Sequence, residues 1–253
     1  MAASPFALRV TFLGTGDAFA SGGRSHACVL LETGGECLLV ECGAAAPVAL
    51  RRHGVSPSTI ATVLLTHLHG DHAGGVPFLL LDAVYNEPRT AGLTVAGPRG
   101  TRERVLTLAD LLYPGLAEKA RQVVDLRFFE LEPCSRLAIG SCTVTTAAAV
   151  HGSGATGLAL RLEMAGRTLA FSGDTAWTHE LVNASHDADL FVCECTGYDN
   201  APPGHLSHRE LVAHRPELTA RRVLLTHLGS DVLAQRDRLT FEVADDGLVI
   251  ELP

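Results

Sequence analysis

The stretch LLTHLHGDHAGG at residues 64–75 sets three histidines and an aspartate within six positions, directly after an apolar run. A chain carrying it must end a buried segment, bend sharply and converge polar groups at the bend. The run 62–65 reads as a buried strand. His67 and His69 alternate, so an extended backbone points both to one side. Gly70 permits a bend, Asp71 and His72 follow at a helix start, and Gly74–Gly75 allow close backbone approach. Two ligand groups result, His67 with His69 and Asp71 with His72, and neither closes a coordination sphere.

Further ligands stand at the ends of later strand-like runs. His151 ends TVTTAAAVHGSG, Asp174 ends TLAFSGDT and His227 ends RVLLTHLG. With the first cluster they make seven imidazole and carboxylate groups, which suits two metal sites with one carboxylate free to bridge. Histidine and carboxylate ligands without cysteine suit divalent zinc, manganese or iron. Zinc is the first expectation, with manganese or iron as alternatives.

Short β-like runs recur between turn signals. Strands are expected at 8–13, 28–32, 37–41, 62–65, 93–96 and 126–130. Six more are expected at 142–147, 157–162, 168–172, 190–193, 222–225 and 248–251. Helical patterns fill 45–52, 75–84, 100–112, 178–183 and 207–214, the last opened by a Ser207/Glu210 capping box. This implies an α/β protein of two mixed sheets packed together with helices outside. No linker or low-complexity segment interrupts the chain, so residues 1–253 are expected to form one domain. VLLTHL occurs twice, at 63–68 and 223–228, and is read for its histidines rather than as a repeat. The apolar helix in GGVPFLLLDAVYNEP is expected in the core or at a subunit contact.

The net charge of −8 makes nucleic acid an unlikely partner and leaves a small anionic substrate drawn by the metals. Seven cysteines without paired zinc-finger spacing read as reduced, buried thiols of a cytoplasmic protein. No secretory leader and no membrane span are expected.

The element T-H-x-H-x-D-H, followed by a later His, Asp and His, resembles the metallo-β-lactamase fold superfamily. The likeness runs from FLGTG near residue 12 to His227. It implies a four-layer αβ/βα sandwich. It also implies that His67, His69 and His151 hold one metal, that Asp71, His72 and His227 hold the second, and that Asp174 bridges them. A hydroxide held between the metals would be the nucleophile, with Asp71 accepting its hydrogen bond.

LFVCECTGYDNAPPGHLSHREL narrows the branch. Glu194 follows a buried strand and His205 precedes a helix, which is similar to ribonuclease Z and its relatives. The resemblance assigns His205 as the acid that protonates the leaving group and Glu194 as its carboxylate partner. His208 is read as a surface helix residue. Arg24, in the glycine-rich GTGDAFASGGRSHACVL, is expected to contact an anionic substrate. The branch also implies a homodimer. Its tRNA-gripping arm lies between the third metal histidine and the bridging aspartate. Here those residues are only 23 positions apart, and the arm is absent. The expected activity is therefore hydrolysis of a small phosphodiester, such as a cyclic nucleotide or cyclic sugar phosphate. The alternatives are a lactone, thioester or carboxylic-ester hydrolase, a tRNA 3′-end endonuclease, and a metal-binding sensor without turnover.

Overall fold

Leu8, Val10 and Phe12 alternate into one buried cluster while Leu13 joins another, so β1 (Leu8–Gly14) is packed on both faces. The same period of two runs through β2 (Cys28–Thr33), β3 (Glu36–Val40), β4 (Ile60–Leu64), β5 (Leu93–Pro98) and β6 (Leu126–Leu131). In this computed structural model residues 7–89, 91–152, 154 and 156–253 are described. Residues 1–6, on which part of the leader reading falls, lie outside the described residues.

A second set follows: β7 (Arg136–Ile139), β8 (Cys142–Ala149), β9 (Gly157–Met164), β10 (Arg167–Phe171), β11 (Leu190–Glu194), β12 (Val223–Thr226), β13 (Glu242–Val243) and β14 (Val249–Leu252). The two sheets have seven strands each, ordered β14-β1-β2-β3-β4-β5-β6 and β13-β12-β11-β10-β9-β8-β7.

The helices are α1 (Ala46–Arg52), α2 (Gly70–Ala73), α3 (Val76–Tyr85), α4 (Thr101–Leu112), α5 (Leu116–Val123), α6 (His179–Ser185), α7 (His208–His214) and α8 (Ser230–Ala234). Inner faces of the two sheets share one core, from Phe12 and Val40 to Leu160 and Leu224. Leu50, Leu79, Val105 and Leu116 cover the outer face of the first sheet. Leu181, Leu211 and Val232 cover the second. This is the four-layer sandwich of two mixed sheets expected of the metallo-β-lactamase fold.

Strands β1–β6 and β8–β13 repeat one pairing pattern, two antiparallel contacts and then three parallel ones. In that pattern β3 matches β10, β4 matches β11 and β5 matches β12. The repeated VLLTHL falls on β4 and β12, which are not counterparts. Each set sends its last strand across. β7 follows β6 but pairs with β8, and β14 follows β13 but pairs with β1.

The expected strands and helices are present, with ends moved by two residues at most. Ser207 Oγ accepts from Glu210 N at 3.2 Å, which fulfils half of the capping box. Sequence reading missed α5, whose buried side includes two alanines, and β7, which is mostly exposed. Among the described residues no helix is long and apolar enough to cross a membrane.

Candidate metal centre

The centre sits where strands end. His67 and His69 follow β4, His151 follows β8, Asp174 follows β10 and His227 follows β12, while α2 carries Asp71 and His72. Tight backbone packing requires the glycines. A Cβ at Gly75 would lie 2.3 Å from the Gly43 carbonyl, which locks α2 against the end of β3. Gly173 has φ +58°, and a Cβ there would lie 2.8 Å from Thr66. It turns β10 so that Asp174 faces the histidines.

All seven expected ligands converge. His67, His69 and His151 offer ligand atoms within 4.8 Å of one another, and so do Asp71, His72, Asp174 and His227. Asp174 faces both groups: its Oδ2 lies 3.7 Å from His67 Nε2 and 3.5 Å from His227 Nε2, and its Oδ1 lies 3.4 Å from His72 Nε2. Asp71 Oδ2 is 3.2 Å from His227 Nε2 and 3.3 Å from His72 Nε2. His67 Nε2, His72 Nε2 and Asp174 Oδ1 are buried without a hydrogen-bond partner. Such orphans are rare and costly in folded proteins. Bare nitrogens and a bare carboxylate oxygen facing one another are what a cation satisfies. The donor set therefore fits divalent metal ions.

Charge divides the two groups. Burial and neighbouring imidazoles hold His67 and His69 below the ordinary histidine range, so they stay neutral and keep a lone pair for a metal. Around the other group carboxylates dominate. Burial works against protonated His227, yet Asp174 and Asp71 raise it to about 9. Burial likewise opposes protonated His72, and Asp174 and Glu41 raise it. Burial opposes charge on Asp174 too, but His227 and His72 hold its carboxyl well below the usual range. The group thus gathers enough negative charge to demand a cation.

Three supporting residues escaped sequence reasoning. Glu41 was read as the last residue of a strand. It leaves the strand with φ 63°, buried, and sets Oε1 3.3 Å from His72 Nδ1. Thr66 Oγ1 donates to Glu41 and lies 3.1 Å from His67 Nδ1. Thr196 Oγ1 donates to Glu194 at 2.8 Å and lies 3.1 Å from His227 Nδ1. A signal for Glu41 existed, since it ends β3 as Asp174 follows β10, the counterpart strand. Such carboxylates orient ligating imidazoles. Glu41→Gln is expected to weaken metal binding by about 10- to 100-fold, read by competition against a chromogenic chelator. An unchanged affinity would leave Glu41 with a packing role only.

His205 and Glu194 meet beside this centre. His205 Nδ1 is 3.1 Å from Glu194 Oε1 and 3.9 Å from Asp174 Oδ2. Glu194 is buried, and its Oε1 also accepts from Thr175 N at 2.7 Å. The carbonyl of Gly204 accepts from His151 Nδ1 at 2.9 Å, so one loop positions both His205 and a ligand.

Two expectations are corrected. Arg24 does not offer a free fork to a substrate: its terminal nitrogens are bound by Asp245, Thr15 Oγ1 and the Ala244 carbonyl. Thr15 in turn accepts from His227 N through its carbonyl at 2.9 Å, which supports the unusual left-handed backbone of His227. The glycine-rich turn therefore braces a ligand. His208 is not a surface residue. It is buried, stacks on Tyr198, and its Nε2 accepts from Thr240 N at 3.2 Å, because the first turn of α7 packs against that segment.

A model of the family described as Anti-Pycsar protein Apyc1 matches residues 8–243. The chain belongs to that family. Beyond the Apyc1 family, ribonuclease Z of Methanosarcina acetivorans is 27% identical, over 97% of this chain and 98% of that protein. The crystal structure of human tRNase Z, short form, is 25% identical with a TM-score of 0.76, covering 97% of this chain and 99% of that one. The metallo-β-lactamase fold protein YhfI of Bacillus subtilis shares the fold at 24% identity and a TM-score of 0.78, over 96% of this chain and 98% of that chain. This Apyc1-family chain is thus a metallo-β-lactamase fold hydrolase of the ribonuclease Z-like branch, with His and Asp clusters suited to divalent metals. Two of these relatives are named for RNA, which runs against the expectation that nucleic acid is an unlikely partner.

Proposed function

We propose that the chain is a dinuclear phosphodiesterase acting on a small phosphodiester, such as a cyclic nucleotide or cyclic sugar phosphate. The observation that carries this reading is the His205–Glu194 pair, 3.1 Å apart and 3.9 Å from the carboxylate that faces both ligand groups. Phosphodiester cleavage expels an alkoxide, which leaves poorly without a proton.

When bound, two divalent ions make water acidic enough to act as a nucleophile at neutral pH and offset charge on phosphoryl oxygens. His67, His69 and His151 would hold one ion, and Asp71, His72 and His227 the other, with Asp174 shared. Zinc is the first candidate, ahead of manganese and iron. Asp71 accepts a hydrogen bond from the attacking water and orients it. His205 commits Nδ1 to Glu194, which leaves Nε2 to protonate the departing oxygen. Burial pulls protonated His205 down, but Glu194 and then Asp174 outweigh it and raise its pKa. The acid form is therefore populated near neutrality.

The relatives named ribonuclease Z favour a second reading, RNA cleavage. Only β9 and β10 lie between His151 and Asp174, and the chain carries a charge of −8. Both facts support the smaller substrate. The free thiols, most of them buried, support a reducing compartment such as the cytoplasm.

The test is an assay of zinc- or manganese-loaded protein on bis(p-nitrophenyl) phosphate, a lactone, a thioester and a tRNA precursor. Turnover of the diester without the carbonyl esters is expected. Carbonyl ester turnover alone would move the chain to the esterases, and preferred cleavage of the tRNA precursor would restore the RNA reading.

A further inference from the structure

Two clefts adjoin the metal centre. One of about 510 Å³ runs along residues 199–213 and includes His205. A leaving group protonated by His205 belongs there. The ester group that stays on phosphorus needs other room. The second cleft, about 500 Å³, opens at Leu68, between the ligands His67 and His69, and runs along α4.

Its lining is of two kinds. Leu68, Leu108 and Leu111 supply apolar surface, Leu111 being 76% exposed. Arg99, Glu103 and Arg104 supply exposed charge. Elsewhere exposed arginines are tied down: Arg51, Arg127, Arg136, Arg209, Arg222 and Arg236 each pair with a carboxylate. Among the described residues neither Arg99 nor Arg104 has such a partner. An unpaired guanidinium beside leucines stacks on a planar ring while donating in its own plane. A neighbouring carboxylate accepts from an exocyclic amine or ring N–H. A simple alkyl group would use only the leucines, and a bare phosphate only the arginines. A nucleoside uses both.

We propose that this cleft is the subsite for the heteroaromatic base of a nucleotide ester, with Arg99 and Arg104 as the groups that recognise it. The inference rests on the phosphodiesterase reading above and names its substrate class. In a linear diester the base belongs to the nucleoside that remains on phosphorus. In a cyclic one it is the ring's own base.

The test compares two chromogenic diesters with the same leaving group, thymidine 5′-(p-nitrophenyl) phosphate and methyl p-nitrophenyl phosphate. Arg99→Gln/Arg104→Gln changes only exposed side chains, so the fold is retained. The ratio of kcat/KM for the thymidine ester over the methyl ester is expected to fall about tenfold, mostly in KM. A constant ratio, whether both rates hold or both fall together, overturns the subsite. Titration calorimetry with thymidine 5′-monophosphate separates the two levels. If the wild type turns over neither ester, the phosphodiesterase reading fails, and binding then decides the cleft alone. Nucleotide held about tenfold more weakly by the variant supports the subsite, and equal affinity overturns it.

Discussion

Hydrolysis of a dialkyl phosphate by His205→Ala is expected to run about 10²- to 10⁴-fold slower than by the wild type. A p-nitrophenyl ester should slow far less, because its leaving group departs without a proton. The contrast follows from geometry. His205 touches Glu194 and approaches Asp174, yet stands outside the two ligand groups that hold all seven metal-binding side chains. Removing it should leave both metals bound, as elemental analysis would show. The pH profile gives an independent readout. Glu194 raises His205 despite burial, so the acid form is full below that raised pKa and is lost as pH climbs through it. Wild-type turnover of the dialkyl ester should therefore decline on the alkaline side, and the variant should lack that limb. Equal slowing of both esters, with the limb retained, would remove His205 from proton transfer and leave it a positioning residue.

Asp174→Ala is expected to lose metal and at least about 10³-fold in kcat/KM on any ester. No other carboxylate of the centre approaches His67, His72 and His227 together. The same change should weaken the metal-free fold by about 3–5 kcal/mol, the usual cost of removing one partner of a buried ion pair. His72 and His227 are both held protonated by surrounding carboxylates, chiefly Asp174, and Asp174 is itself buried. Without it their raised pKa values fall back, and the protonated forms lose stability that the wild type keeps below its folded pKa. Thermal melting of chelator-treated protein measures this, and metal content measures the rest. Two ions per chain in the variant would show that Asp174 does not link the sites.

The ligands were legible because ligand chemistry is local. His67, His69, Asp71 and His72 lie within six positions, and His151, Asp174 and His227 each end an apolar run, which alternation alone reveals. The strands were legible for the same reason, since burial on one or two faces writes a period of two into the sequence. What stayed hidden is set by partners distant in sequence. Arg24 looks like a free donor until Asp245, more than two hundred residues on, closes on it. His208 looks solvated until Thr240 and Tyr198 cover it. Glu41 looks like an ordinary strand end until α2 brings His72 against it. A helix built on alanines, as α5 partly is, buries too little for an apolar pattern to stand out.

The crossing of β7 and β14 between the sheets bears on how this molecule comes to exist. Leu8 pairs with Leu252, so the outer edge of β1 stays open until nearly the whole chain has been made and has folded back. An open, apolar edge invites pairing with other chains. Pairings this distant in sequence also form slowly. The first sheet already displays four of the seven ligands by then, but the other three come from the second. Until both sheets are complete, a metal arriving early meets only half of its coordination shell, and synthesis, edge protection and metal capture finish together.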